Sequence, residues 1–406
     1  MKAAMKFMFG FLLVAFIIFN VLVSVGRTAE KEVLVGGIVA LTGPVSDYTS
    51  EMVVGIEDYF AYVNKNRGVD GVKIKFKYDD NRYKTKEAIL IYKKIAALKP
   101  VTFLLIASSG AQEAMKSFFE RDKIPAIAMP QSDPQFHPPG WIFSDSFTYG
   151  DACAAFFNFF RTKKKEKIKI GWLAWDHPYG RAGYEQMKKY TATRGGEVLP
   201  IEYCKFVPAT VMPQLLRLKK QGADYIWTNT TRVTVDIIQK ERHRAGIKIP
   251  LVSQTSVPCD GLIEMSGKEA DDFISIVGWY SEDYMDDLPQ DFKELMKKAG
   301  TRRGHGKKHT QAYSRGMQEA MQFCEALRLT LKKVGYKGLS GETMMKHGYL
   351  AMKNLKTPLN PKPNGILTPD DRRLNPHGRF YKVQAGKIVP LSDWMRVPFL
   401  KKEVEG

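Results

Sequence analysis

Ser108 and Ser109 follow an apolar run from Val101 to Ile106 and stand where a helix begins. Free backbone N–H groups and the positive end of a helix dipole favour an anion at such a place, and two hydroxyls add hydrogen bonds. Ordinary N-capping is the competing use, because serine is favoured there with or without a ligand. Tyr48 and Tyr179 each fall in a predicted loop just past a strand, where tyrosine offers a flat apolar face and a hydroxyl. For Tyr48, burial in lobe packing is the alternative. Arg232 follows Asn229-Thr230-Thr231 and either clamps a carboxylate through paired hydrogen bonds or stands solvated in the first turn of a helix.

Catalytic chemistry is poorly served. Asp79 and Asp80 are adjacent on an extended segment, so their carboxylates point to opposite sides and read as polar loop structure. The seven histidines show no HExxH or other ligand spacing. His177, next to Pro178-Tyr179, is a plain loop histidine or lines the lip of a cleft. The first strand runs into Ala40-Leu41-Thr42-Gly43-Pro44 and not GxGxxG, so the turn that lets a pyrophosphate approach a helix start is missing. Cys153, Cys204, Cys259 and Cys324 lie far apart without CxxC spacing, which argues against a thiolate metal site. Their pairing after export stays open, and Cys324 falls on the apolar stripe of a helix. With no nucleophile–base pair or metal set in view, an enzyme, a cofactor and a metal are all unexpected.

The elements that must position these residues alternate along 406 residues, 44% of them hydrophobic, enough for a substantial core in two or three domains. Lys2 and Lys6, an apolar stretch from Phe7 to Val25 and the small residues of Ser24-Val25-Gly26 read as a secretory signal peptide over residues 1–26. An uncleaved anchor is the rival reading. The net charge of +19 is scattered through every predicted element, and export removes the chain from nucleic acid. Its densest run, Arg302-Arg303 with Lys307-Lys308, reads as a solvated loop.

Val33–Ala40, Val72–Tyr78, Val101–Ile106 and Ile124–Met129 are strands separated by helical patterns. A second series starts after Tyr149, with strands at Ile168–Trp175, Glu197–Tyr203, Tyr225–Thr228 and Pro250–Ser253. Its first interior helix is expected from Arg181 to about Thr193. Such alternation demands parallel sheets covered on both faces. Phe273–Trp279 reads as a return crossing and Gln311–Lys333 as a long helix striped by Met317, Met321, Cys324, Leu327 and Leu331. A shorter helix over Gly341–Lys353 and a hairpin around Gly386 close the chain. Ligands of such sheets sit outside the carboxyl ends of the strands.

In order and spacing, Leu41-Thr42-Gly43-Pro44 with Tyr48, Tyr78-Asp79-Asp80-Asn81, Ala107-Ser108-Ser109, Pro130-Gln131-Ser132-Asp133-Pro134, Tyr179-Gly180 and Thr368-Pro369-Asp370-Asp371 resemble the leucine/isoleucine/valine-binding type of periplasmic receptor for ABC transporters. The resemblance covers essentially the whole mature chain. It implies an α/β fold of two Rossmann-like lobes with parallel sheets, joined by a three-segment hinge, a Venus flytrap. Lobe 1 would hold residues 31–149 with 280–355, and lobe 2 residues 150–279 with 356–398. It also implies a monomer in the periplasm that hands a small molecule to a membrane permease, with no cofactor. A sensory module signalling to a membrane partner is the alternative function.

By the same resemblance, Ser108 and Ser132 would hold a ligand carboxylate, Tyr48 would face the ligand side chain and Tyr179 would sit on the second lobe's lip. Closure would add contacts from Thr231 and Arg232. Amino-acid-binding relatives carry an acid where this chain has Thr255, within Gln254-Thr255-Ser256. Burying an ammonium without a counter-charge costs several kcal/mol. The expected ligand is a small carboxylate-bearing solute, an aromatic or aliphatic acid or an amino-acid-like compound, and the missing acid favours one without an amine.

Overall fold

The computed structural model describes residues 30–129, 131–162, 167–279, 290, 293, 294, 296, 310–359, 362 and 370–405. The segment read as an export signal, Pro130, the Arg302-Arg303 and Lys307-Lys308 run and Thr368-Pro369 lie outside these residues.

Strands β1 (Glu32–Val39), β2 (Lys73–Asp80), β3 (Thr102–Ile106), β4 (Ala126–Ala128) and β5 (Ile142–Ser144) form one wholly parallel sheet in the order β2-β1-β3-β4-β5. The apolar run of β1 is buried on both faces, as a central parallel strand requires. In β2 lysines alternate with Ile74 and Phe76, which suits an edge strand with one wet face. Helices α1 (Ser46–Lys65), α2 (Thr85–Ala96) and α3 (Ser109–Asp122) make the crossovers. β5 goes unforeseen in the sequence because three residues are too few to show a period.

The second sheet contains β6 (Ile168–Trp175), β7 (Gly196–Cys204), β8 (Tyr225–Asn229), β9 (Leu251–Ser253) and β10 (Ile274–Val277), mutually parallel. β11 (His377–Gln384) and β12 (Lys387–Pro390) extend it antiparallel as the expected hairpin, with Gly386 at φ 70°, and the short β13 (Met395–Arg396) pairs with β11. Its helices are α4 (Tyr149–Arg161), α5 (Tyr184–Ala192), α6 (Met212–Lys220), α7 (Arg232–Arg244) and α8 (Cys259–Ser266).

Two expected helices are broken. The one drawn from Arg181 is a single turn at Pro178–Arg181 followed by α5, with Gly183 between them at φ 78°. A Cβ on Gly183 would lie 2.6 Å from Gly150 Cα, so the break lets this loop press onto the start of α4. The segment Gly341–Ala351 passes from one α turn to a π turn and then a 3₁₀ turn where Gly348 meets the Ala326 carbonyl.

The long helix α9 (Gln311–Val334) packs along α1 in the first lobe. They cross at paired glycines: a Cβ on Gly55 would fall 2.2 Å from Tyr313 O, and one on Gly316 2.0 Å from Met52 O. Three segments run side by side between the sheets. Ser144 N donates to Arg372 O and Leu374 N to Ser144 O, both at 2.8 Å, while Asn375 Nδ2 donates to Gly278 O at 2.6 Å. This is the hinge of a two-lobed protein. The four cysteines are free thiols, three buried and Cys204 half-buried. Among the described residues no helix is long and apolar enough to cross a membrane.

Candidate functional site

The carboxyl ends of both sheets face one another. At the end of β2 the two aspartates part as extended backbone requires. Asp79 pairs with Lys94 on α2 at 2.9 Å, whereas Asp80 accepts Leu41 N–H at 3.0 Å and the Thr42 hydroxyl at 2.7 Å. Asp80 thus fixes the loop that delivers Val45 and Tyr48 to the cleft. Tyr48 is in the first turn of α1 and Tyr179 in the turn Pro178–Arg181, so neither is a loop residue as expected.

Ser108 caps α3 with φ 90°, and its Oγ accepts Ala111 N–H at 3.4 Å. The first amide of the helix, Ser109 N–H, meets no described acceptor. Ser132 Oγ donates to Ser109 Oγ at 3.0 Å. From the second lobe, Tyr179 donates to Thr230 O at 2.9 Å and accepts from Gln254 Nε2 at 3.0 Å, which pins its ring. Tyr149, at the start of α4, stands edge-on to Tyr179 with centroids 5.0 Å apart, and Ser256 Oγ reaches its hydroxyl at 3.5 Å.

These groups line a narrow, largely filled cleft that is partly open to solvent. Four tyrosines (Tyr48, Tyr83, Tyr149 and Tyr179) wall it, with Val45 and Met129, and Ser108, Ser109, Thr231 and Ser256 supply hydroxyls. No lining side chain carries a formal charge. Burial raises all four phenol pKa values above the ordinary range, so these tyrosines are neutral hydroxyls. Burial and the nearby Arg181 push His177 down to about 4, so it is neutral too. Its ring lies 5.5 Å from that of Tyr83 and 5.9 Å from that of Phe206, across the mouth of the cleft.

Of the residues singled out from the sequence, Tyr48, Ser108, Ser109, Tyr179 and Thr231 line this cleft together. Ser132, Thr255 and Arg232 do not. Ser132 stands behind Ser109 and borders a separate groove between the lobes. Thr255 Oγ1 donates to Gln131 Oε1 at 2.6 Å and its carbonyl accepts from Tyr48, so it joins lobe to lobe. Arg232 is neither solvated nor aimed at the cleft. Its Nε lies 3.2 Å from Asp47 and its Nη1 3.6 Å from Glu51, two carboxylates one turn apart on α1 that out-compete any site further off.

Sequence reasoning missed Tyr83, Tyr149, Ser256 and Arg315. Arg315 is wholly buried on α9, where it donates to Asp145 at 2.9 Å, to Tyr48 at 3.2 Å and to the Met129 carbonyl, and lies 4.9 Å over Trp279. One arginine on the buried stripe of a long helix was the available signal. Among the described residues no group of three or more His, Cys, Asp or Glu could hold a metal ion.

The sequence profile of the periplasmic binding protein family matches residues 32–387. The chain belongs to the periplasmic binding protein family. The family and its structural neighbours are solute-binding proteins, and the fold is that of type I members. A branched-chain amino acid ABC transporter protein from Thermus thermophilus with bound valine is 20% identical, with a TM-score of 0.81 over 93% of this chain and 100% of that one. A fatty acid ABC transporter substrate-binding protein from Thermomonospora curvata is 19% identical, with a TM-score of 0.78 over 93% of this chain and 96% of that one. Among curated proteins, Leu/Ile/Val-binding protein homolog 1 of Brucella suis is 21% identical over 63% of this chain and 69% of its own length.

Proposed function

We propose that this periplasmic binding protein is the exported substrate-binding component of an ABC uptake transporter, and that it binds a small amine-free carboxylate between its lobes. It would act as a monomer, with lobe limits of 31–149 plus 280–355 and 150–279 plus 356–398, pass its ligand to a membrane permease and do no chemistry of its own.

The observation that carries the ligand class is a cleft rich in donors and empty of acids. Ser109 N–H and the hydroxyls of Ser108, Tyr83 and Tyr149 donate to no described residue, and no carboxylate lines the walls. Donors left over in a buried cleft suit an acceptor-only group, and the start of α3 adds the favourable end of a helix dipole. The ammonium of an amino acid would find no counter-charge there, because no carboxylate lines the cleft and Thr255 is a neutral residue. The tyrosine walls suit an apolar or aromatic body.

Isothermal titration calorimetry with benzoate, hexanoate, leucine and valine tests this reading. Heat and saturation with one of the two simple acids are expected. Tight binding of leucine or valine with both acids inert would overturn it.

A further inference from the structure

Behind Tyr48, whose ring lies 5.5 Å from the Arg232 guanidinium, acidic side chains from both lobes gather around Arg232. This arginine starts α7, is 4% exposed and pairs with Asp47 and Glu51 of α1. It packs flat on Gly261, where a Cβ would come within 2.6 Å of the guanidinium. Asp260, the neighbour of that glycine in α8, accepts N–H from Gly261 and from Gln311, each at 2.7 Å. Gln311 opens α9, which belongs with α1 to the first lobe. A carboxylate of one lobe therefore covers the dipole end of a helix in the other. Thr310 would ordinarily cap that helix, but its hydroxyl goes to Glu51.

The charges do not balance. Asp47, Glu51 and Asp260 all draw on Arg232, and the exposed Glu264 of α8 adds a fourth negative charge beside Glu51. Apart from Gly261 N–H and Glu264, which are local to α8, the groups around Asp260 reach it from α7, α1 and α9. Burial drives Asp260 up to about 7 against the pull of Gln311 N–H, Gly261 N–H and Arg232. Burial likewise raises Glu51. Parting of the lobes would take Gln311 and Glu51 away from Asp260 and give it back to water, which would return it towards the ordinary carboxyl range.

We propose that lobe closure takes up a proton onto the Glu51 and Asp260 carboxylates gathered around Arg232, so that the closed form gains over the open one as the pH falls below neutral. The inference rests on the closing motion of the proposed function but not on the identity of the ligand. The closed form keeps its proton on Asp260 up to about pH 7, whereas the open form gives it up near the ordinary carboxyl value. Between those limits the closed form binds more protons, so each step down in pH favours it.

Small-angle scattering of the ligand-free chain measures the effect. From pH 8 to pH 6 the closed-to-open ratio should rise about tenfold, seen as a contraction. Asp260→Asn keeps an acceptor for Gln311 N–H and should be flat over that range. Glu51→Gln removes one like charge and should move the contraction to lower pH. A wild-type profile unchanged from pH 8 to pH 5, or variants that contract just as the wild type does, would overturn the proposal. Failure of every carboxylate in the calorimetric screen would leave the scattering result standing. Tight carboxylate binding beside a flat scattering profile would remove the proton coupling alone.

Discussion

The phenol oxygen of Tyr48 lies 2.8 Å from the carbonyl of Thr255, to which it donates, and 3.2 Å from Nη1 of Arg315, from which it accepts. One hydroxyl thus joins the first lobe to the loop after β9 and to the arginine that holds Asp145 at the hinge. As a contact between the lobes, it would be lost in the open state that the proposed function requires.

Tyr48→Phe should therefore weaken closure more than folding. In the closed form the Thr255 carbonyl would be buried without its partner, whereas in the open form water would serve it. That difference is about 1–2 kcal/mol, so carboxylate affinity should drop roughly five- to thirtyfold. Calorimetric titration beside a thermal melt separates the two effects. Equal affinity in both proteins would show that this contact does not hold the lobes together.

Ser108 offers a test in which fold and site move apart. Its φ of 90° and ψ of 117° are strained for any residue with a Cβ, at about 1–3 kcal/mol. Ser108→Gly removes that strain, while Ser108→Ala keeps it and loses the cap. The glycine variant should melt above the alanine variant, yet both should lose affinity for a simple carboxylate by about 1 kcal/mol because the hydroxyl is gone. Undiminished binding in both would take Ser108 out of the ligand's reach.

The crossing of α1 and α9 leaves no room for a methyl group. Gly316→Ala would set a Cβ against the Met52 carbonyl, which is rigid backbone and cannot swing away. The helices must separate, so chemical denaturation should report a loss of about 2–3 kcal/mol, and Gly55→Ala should do the same from the other side. An unchanged midpoint for Gly316→Ala would mean that α9 sits further from α1.

Much of this architecture is legible in the sequence because burial on both faces writes long apolar runs. β1, β3, β6 and β8 fall where the runs fall, and the stripe through Met317, Met321, Cys324 and Leu327 places α9, although from Gln311 to Cys324 that helix is buried on every side. The short strands are harder: β5 has three residues and no period. Within the site, residues next to a strand end could be picked out, as Ser108 was after β3. Tyr83 and Tyr149 could not, because each reaches the cleft from a turn or helix start that only the folded chain brings round. Arg232 misled for a physical reason. An arginine at a helix start looks free in sequence, and nothing local announces that Asp47 and Glu51 will arrive from 180 or so residues away.

His177 supplies the last test, in acid. Its Nδ1 accepts Tyr179 N–H at 3.2 Å, which holds the turn that carries Tyr179, and its ring is packed against Tyr83 and Phe206. Burial and Arg181 lower its pKa to about 4 from an ordinary 6.5. The unfolded chain thus takes up a proton below about pH 6.5 that the folded protein refuses until about pH 4. Stability from this group is fully present above pH 6.5 and is lost as the pH falls from there towards 4. His177→Asn keeps an acceptor suited to the start of a turn and cannot titrate. Melting temperatures taken from pH 7 to pH 4.5 should fall less steeply for the asparagine variant than for the wild type. The comparison cancels the carboxylates common to both proteins, so two parallel curves would place His177 at its ordinary pKa, free of the aromatic contacts that close the mouth of the cleft.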